Sequence, residues 1–183
     1  MDSTILAYIA GFLDGDGSIF FQIIRKKDYR FGFQLRTTIA FYQKTENERV
    51  LIWLKQQLSA GYIRQRKTGI SDYTIVESGE VRRILELLRP HVRLKQEHVG
   101  LALEILAMLP LPNDPAQILA AARLVDRFQG INYSKKRTVT SKDVGMLLRS
   151  RGYLAPVETD PFRRESPGLT AAKTPVAFVA SEG

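Results

Sequence analysis

The 183-residue chain contains no cysteine, which excludes both a disulfide framework and any thiolate metal site. Histidine is almost as scarce. His91 and His98 stand alone in the sequence, and isolated histidines are more often packing or surface residues than ligands. No apolar run approaches the ~20 residues that a membrane-spanning helix needs, and no basic leader precedes the first apolar stretch, so a soluble protein without a visible targeting peptide is expected. Acid is also in short supply: 19 Asp and Glu stand against 27 Lys and Arg, for a formal net charge of +8. Basic side chains displace condensed counterions from a phosphate backbone, so this balance points to a polyanionic partner without saying which one. What the chain does have is apolar content, 44%, enough to fill the core of one domain.

Residues 3–13 are apolar around most of a helical circumference, which predicts a buried helix. Ala7, Gly11 and Gly15 fall four apart and form one stripe of small residues, which lets a second helix come close. From residue 18 to residue 41 the period changes to two. Ile19, Phe21, Ile23, Phe33, Leu35, Ile39 and Phe41 share the inward parity, and residues 26–30 supply a turn, so a long hairpin is predicted. Thr45 and Glu48 have the spacing of a capping box, opening a helix with Val50, Leu51, Leu54 and Leu58 on one face and Gly61 at its end. A second hairpin follows over residues 62–66 and 72–76, turning at Thr68-Gly69 with Tyr73 and Ile75 inward. Helices are predicted over residues 80–88, 94–109, 115–130 and from Thr140 or Ser141 to Gly152, with Pro90, Pro110 and Asp114-Pro115 as boundaries. The order α-β-β-α-β-β-α, then further helices, predicts an α+β domain over residues 1–155 with an antiparallel four-stranded sheet and helices on one side. Residues 156–183 lose this periodicity and read as a tail.

Residues 9–17, Ile-Ala-Gly-Phe-Leu-Asp-Gly-Asp-Gly, admit several chemistries. The aspartates and glycines suit the end of a helix that bends into a turn. Asp14, Asp16 and Ser18 fall at positions one, three and five of a calcium loop, but Ile19 stands where glycine is required and Arg25 where a bidentate glutamate belongs. A membrane helix pair fails on length. Phosphodiester hydrolysis, the reading that the family resemblance described next implies, needs an activated water and neutralised charge on the leaving oxygen, which carboxylate-held divalent metal supplies. Two copies of the helix packed through Ala7, Gly11 and Gly15 bring two Asp16 carboxylates together, one for each strand of a duplex.

The nonapeptide resembles the motif that names the LAGLIDADG homing endonucleases, matching it at Ala10, Gly11, Asp14, Asp16 and Gly17. Gln43-Lys44-Thr45, Gly61-Tyr62-Ile63-Arg64, Ser71-Asp72-Tyr73 and Leu94-Lys95-Gln96 follow in the order and spacing of the single-motif members from algal organelle introns, over about residues 5–150. The resemblance implies a site-specific double-strand DNA endonuclease. It also implies metal ligation by Asp16 and the Gly15 carbonyl, and polar organisation of the scissile phosphate by Gln43 and Lys95. Asp14 becomes a structural partner at the helix end. Mg²⁺ is the implied cofactor, with Mn²⁺ as a substitute and Ca²⁺ supporting binding without cleavage. The partners are double-stranded DNA and a second copy of the chain, with no membrane; the location is the organelle of an alga. Asn47 departs from the basic residue that better-known relatives carry in this pocket.

A strand of about ten residues at about 3.3 Å each spans ~33 Å, close to ten base pairs, so one hairpin suits one half-site. Its outward parity offers Phe20, Gln22, Ile24, Lys26, Gln34, Arg36, Thr38 and Ala40. The second hairpin adds Arg64, Arg66, Asp72 and Thr74, and Tyr29 and Asn47 complete the expected DNA-facing set. Arg matches guanine, Gln adenine, and Asp can accept from cytosine. Lys135 and Arg137 resemble the family's phosphate-contacting stretch. A binding-only relative, an intron RNA-splicing maturase or a DNA-binding regulator, is the alternative; the presence of Asp16 and Lys95 argues for the enzyme.

Overall fold

The computed structural model describes residues 1–109, 114–132 and 139–155. Lys135, Arg137 and the tail expected from residue 156 lie outside the described residues. The chain runs through α1 (Ser3–Asp16), β1 (Gly17–Arg25), β2 (Phe33–Lys44), a 3-10 turn (Thr45–Asn47), α2 (Arg49–Leu58), β3 (Tyr62–Gln65), β4 (Ile70–Ile75), α3 (Ser78–Leu88), α4 (Gln96–Ala107), α5 (Pro115–Ile131) and α6 (Ser141–Ser150). All strand pairs are antiparallel, and the order across the sheet is β1-β2-β4-β3.

The register explains which face is core. Gly17 pairs with Phe41, Phe41 with Tyr73 and Tyr73 with Ile63, so these positions form one row across all four strands. In that row the Phe41 and Tyr73 rings stack with centroids 5.8 Å apart, while Phe12 from α1 lies 6.0 Å from Phe41. Further along, Phe21 of β1 meets Phe128 of α5 edge-on at 5.0 Å. Alternate residues point away from the helices, and the sheet therefore keeps one uncovered side.

Local chemistry fixes the helix ends. Glu77 accepts from the Gly79 and Glu80 amides at the start of α3, and Asp114 accepts from Ala116 N–H at the start of α5. Thr140 and Asp143 form a reciprocal capping box on α6. The capping box expected at Thr45 and Glu48 does not form. Residues 45–47 tighten into the 3-10 turn, and the Glu48 carboxylate accepts from Ser71 Oγ at 2.8 Å and Gln65 Nε2 at 2.9 Å, tying α2 to the second hairpin.

α1 also differs from expectation. It extends one turn further, to Asp16, and only one side is buried, through Ile9, Ala10 and Leu13; Tyr8 on another side is 53% exposed. The helix passes into β1 without a loop, and the Gly17 amide donates to Leu13 O as the helix ends. A Cβ on Gly17 would lie 2.7 Å from Leu13 Cα and Leu13 O, so the junction requires glycine for space. Gly17→Ala is expected to lower stability by about 1–3 kcal/mol, the usual cost of forcing atoms into filled space. A urea midpoint unchanged from the parent would contradict that reading of the junction.

Candidate active site and nucleic-acid interface

The last carbonyls of a helix lack intrahelical donors. At the end of α1 the Leu13 carbonyl accepts from Gly17 N–H, and the Asp14 carbonyl accepts from Lys95 Nζ. The Asp14 side chain reaches the same segment, between α3 and α4. It accepts from the amides of Arg93 at 2.7 Å, Leu94 at 3.1 Å and Lys95 at 3.0 Å. Burial works to raise the Asp14 pKa, but the three amides and the Lys95 charge outweigh it and hold the carboxyl below its ordinary value. Lys95 is held at both its backbone and its ammonium by one residue of α1. Burial lowers the Lys95 pKa, and the charges of Asp14 and Asp16 oppose that shift without cancelling it.

Asp16 ends α1 with its side chain exposed. β2 runs past Phe41, the partner of Gly17, to Lys44, so Gln43, two residues beyond Phe41, stands at the same end of the sheet, half-buried, with its Oε1 accepting from Lys44 N–H at 2.9 Å. Asn47 lies exposed in the following 3-10 turn. Beside this end opens a cleft of about 730 Å³, lined among others by Asp14, Gly15, Ser18, Phe20, Lys95 and His98. Among the described residues no three His, Cys, Asp or Glu side chains cluster to enclose a metal ion. The available donors are hard oxygens, the Asp16 carboxylate and the Gly15 carbonyl, which suit Mg²⁺ when phosphate oxygens and waters complete the shell.

His98, given no role from the sequence, lines the same cleft. It packs edge-on to Phe128 at 5.8 Å, and burial followed by the nearby Lys95 charge pushes its pKa down. The signal for this placement is its spacing of three from Lys95 at the start of α4, which puts both on one helix face.

The uncovered side of the sheet carries the residues expected there. Gln22 stands opposite Arg36, Ile24 opposite Gln34, and Phe20 opposite Thr38. Gln22, Arg36, Arg64 and Arg66 are exposed, as are Lys26 and Tyr29 in the turn, where the ammonium sits 5.4 Å from the ring centroid. Four expected contacts need correction. Thr38 (3% exposed), Ala40 (2%), Asp72 (1%) and Thr74 (8%) have the outward parity but are buried. Asp72 in particular does not offer a free acceptor. Arg66 Nε donates to it at 2.6 Å, Arg64 Nη2 at 3.3 Å and Thr74 Oγ1 at 3.0 Å. Burial alone would raise its pKa, but these donors hold it below the ordinary value. Asp72 is thus the base of a fork that aims two guanidiniums outward, and Arg66 also lies over the Tyr42 ring at 5.4 Å.

Ala7, Gly11 and Gly15 are exposed, and a Cβ built on Gly11 or Gly15 meets nothing within 4 Å. No described element of this chain covers the stripe. The helix partner that the small residues suit is therefore not supplied from within these residues.

Comparison with known proteins matches this arrangement. Residues 9–98 match the profile of the LAGLIDADG endonuclease family. The chain is 38% identical over 146 residues to DNA endonuclease I-CreI of Chlamydomonas reinhardtii, covering 79% of this chain and 89% of that one. It is 32% identical over 153 residues to DNA endonuclease I-CvuI of Chlorella vulgaris, covering 84% and 95%. The fold superposes with a TM-score of 0.79 on crystalline I-CvuI in complex with its target in the presence of Ca, covering 83% of this chain and 97% of that one. The TM-score is 0.80, at the same coverage, for I-CvuI with the I-CreI target in the presence of Mg, where the DNA is not cleaved.

A depressed carboxylate contributes stability that is present above its unfolded pKa and is lost as pH falls through the folded value. For Asp14 that window lies below the ordinary value of 3.8. Asp14→Asn is expected to lower the unfolding midpoint at pH 7 and to flatten part of the acid limb of stability. An acid limb identical to the parent's would remove Asp14 from its anchoring role.

Proposed function

The chain belongs to the LAGLIDADG endonuclease family, and on that premise we propose that it is a homing-type, site-specific double-strand DNA endonuclease working as a homodimer on a near-palindromic site. The observation that carries this reading is the geometry at the end of α1: an exposed Asp16 two residues after the Asp14 that immobilises Lys95, at the edge of a sheet face rich in Arg and Gln.

The roles follow from position. Asp16 and the Gly15 carbonyl hold the divalent ion, and Lys95 places positive charge near the scissile phosphate without needing to move. Gln43, at the same end, orients water by hydrogen bonding. When bound, the metal makes a water nucleophilic near neutral pH and neutralises charge on the leaving oxygen. Mg²⁺ is the working ion of this proposal, Mn²⁺ substitutes, and Ca²⁺ supports binding without cleavage. Gln22, Arg36, Arg64 and Arg66 read base edges from the open face of the sheet. Lys135 and Arg137 contact phosphate in this reading, on the sequence resemblance alone. The relatives come from algae, and an algal organelle is the proposed location.

One copy of the motif faces two DNA strands. The open stripe of Ala7, Gly11 and Gly15 lets a second α1 approach closely enough to bring both Asp16 residues to the duplex centre. Gly11→Leu fills that space and is expected to leave a folded monomer in sedimentation that makes no double-strand breaks; a cutting monomer would refute the dimer. Asp16→Asn keeps the side-chain shape but removes one charge facing phosphate. It is expected to bind DNA at least as well as the parent in a gel shift and to cut neither strand in Mg²⁺. Cleavage by the variant would exclude Asp16 as ligand, and a parent that binds its site yet never cuts would favour the binding-only alternative.

A further inference from the structure

The outer half of the β1–β2 hairpin lacks a sheet neighbour on one side. β4 pairs with β2 only from Ile39 to Lys44, so residues 33–38 pair with β1 alone. A two-stranded ribbon is marginally stable by itself. Its turn nevertheless has to present Lys26 and Tyr29 in a defined position if it reads the outer end of a half-site.

The end of α6 supplies support. Gly152, with φ +74°, turns the chain back after the helix; its amide donates to Arg149 O and the Tyr153 amide to Leu148 O, both at 2.9 Å. This is the Schellman arrangement, which returns the following residue against the helix. The Tyr153 ring thereby meets Phe31 of the hairpin turn edge-on, at 5.1 Å and 76°. Phe31 is only 6% exposed, although it belongs to a turn. The adjoining Gly32 has φ +79°, and a Cβ there would lie 3.3 Å from both Leu147 and Arg151. An Arg25–Asp143 pair at 3.9 Å spans the same seam but is too exposed to hold it alone.

We infer that Tyr153 is a specificity-determining positioning residue: by wedging against Phe31 it fixes the hairpin turn over the outermost base pairs of each half-site. The inference rests on the DNA-reading proposal above. A small displacement of a reading group costs most where contacts are bidentate and directional, so release of the turn relaxes outer positions first. The inner fork of Arg64 and Arg66 is anchored separately, by Asp72.

The test compares full-length parent, Tyr153→Ala and Tyr153→Phe by hydrogen exchange and by cleavage of every single-base variant of the parent's site. Tyr153 is 39% exposed, so truncation leaves the core in place. For Tyr153→Ala, exchange at residues 27–32 is expected to accelerate. Discrimination at the outermost base pairs should fall by about tenfold, roughly the worth of one bidentate contact, with inner positions unchanged. Tyr153→Phe should match the parent in both readouts. Unchanged exchange in Tyr153→Ala, or a loss of discrimination spread evenly along the half-site, overturns the inference. A parent that cuts no site while the turn loosens in Tyr153→Ala overturns the endonuclease reading instead.

Discussion

Asp14 joins the two ends of the candidate site. Its carboxylate collects three consecutive amides from the segment before α4, and its carbonyl receives the ammonium of Lys95. An aspartate at this point of a helix is otherwise unfavourable, because the C-terminal end already carries partial negative charge. The amides and the ammonium offset that cost and convert it into a fixed geometry. With Asp14 so engaged, Asp16 is the carboxylate left facing solvent at the end of α1. Two acidic residues two positions apart thereby take different roles.

The same division appears on the sheet. Asp72 is buried and used up by Arg64, Arg66 and Thr74, and the arginines it holds are exposed. Removing one partner from a buried charged group leaves an uncompensated charge, so Asp72 and its arginines behave as a unit. Orientation by an internal carboxylate spares each guanidinium some of the ordering cost of binding. The outer part of the hairpin has no such carboxylate and depends on ring packing at Phe31 and Tyr153.

Much of this is legible in the amino acids, because the period-two runs over β1 and β2 and the helix signals at Asp114-Pro115 and Thr140 act locally. The motif at residues 9–17 also places Asp16 and separates it from Asp14. What periodicity misses are side chains that switch partners. Glu48 leaves its own helix for Ser71 and Gln65, and Asp72 has outward parity yet is covered by the arginines of neighbouring strand positions. Strand parity reports direction, and cover depends on the length of cross-strand neighbours, which only the register reveals. His98 is missed for a related reason: its cleft is built by β1 and the end of α5, far apart in sequence.

The central claim is that one polypeptide with one Asp16 acts as a two-fold pair over a duplex. Its most direct test is the selection of cleaved molecules from a randomised DNA pool incubated with the protein and Mg²⁺. The account predicts recovered sites made of two inverted half-sites of about ten base pairs each, with both strands cut near the centre of symmetry. Recovery of a single asymmetric sequence, or of no cleaved molecules from a pool that the protein demonstrably binds, would contradict it.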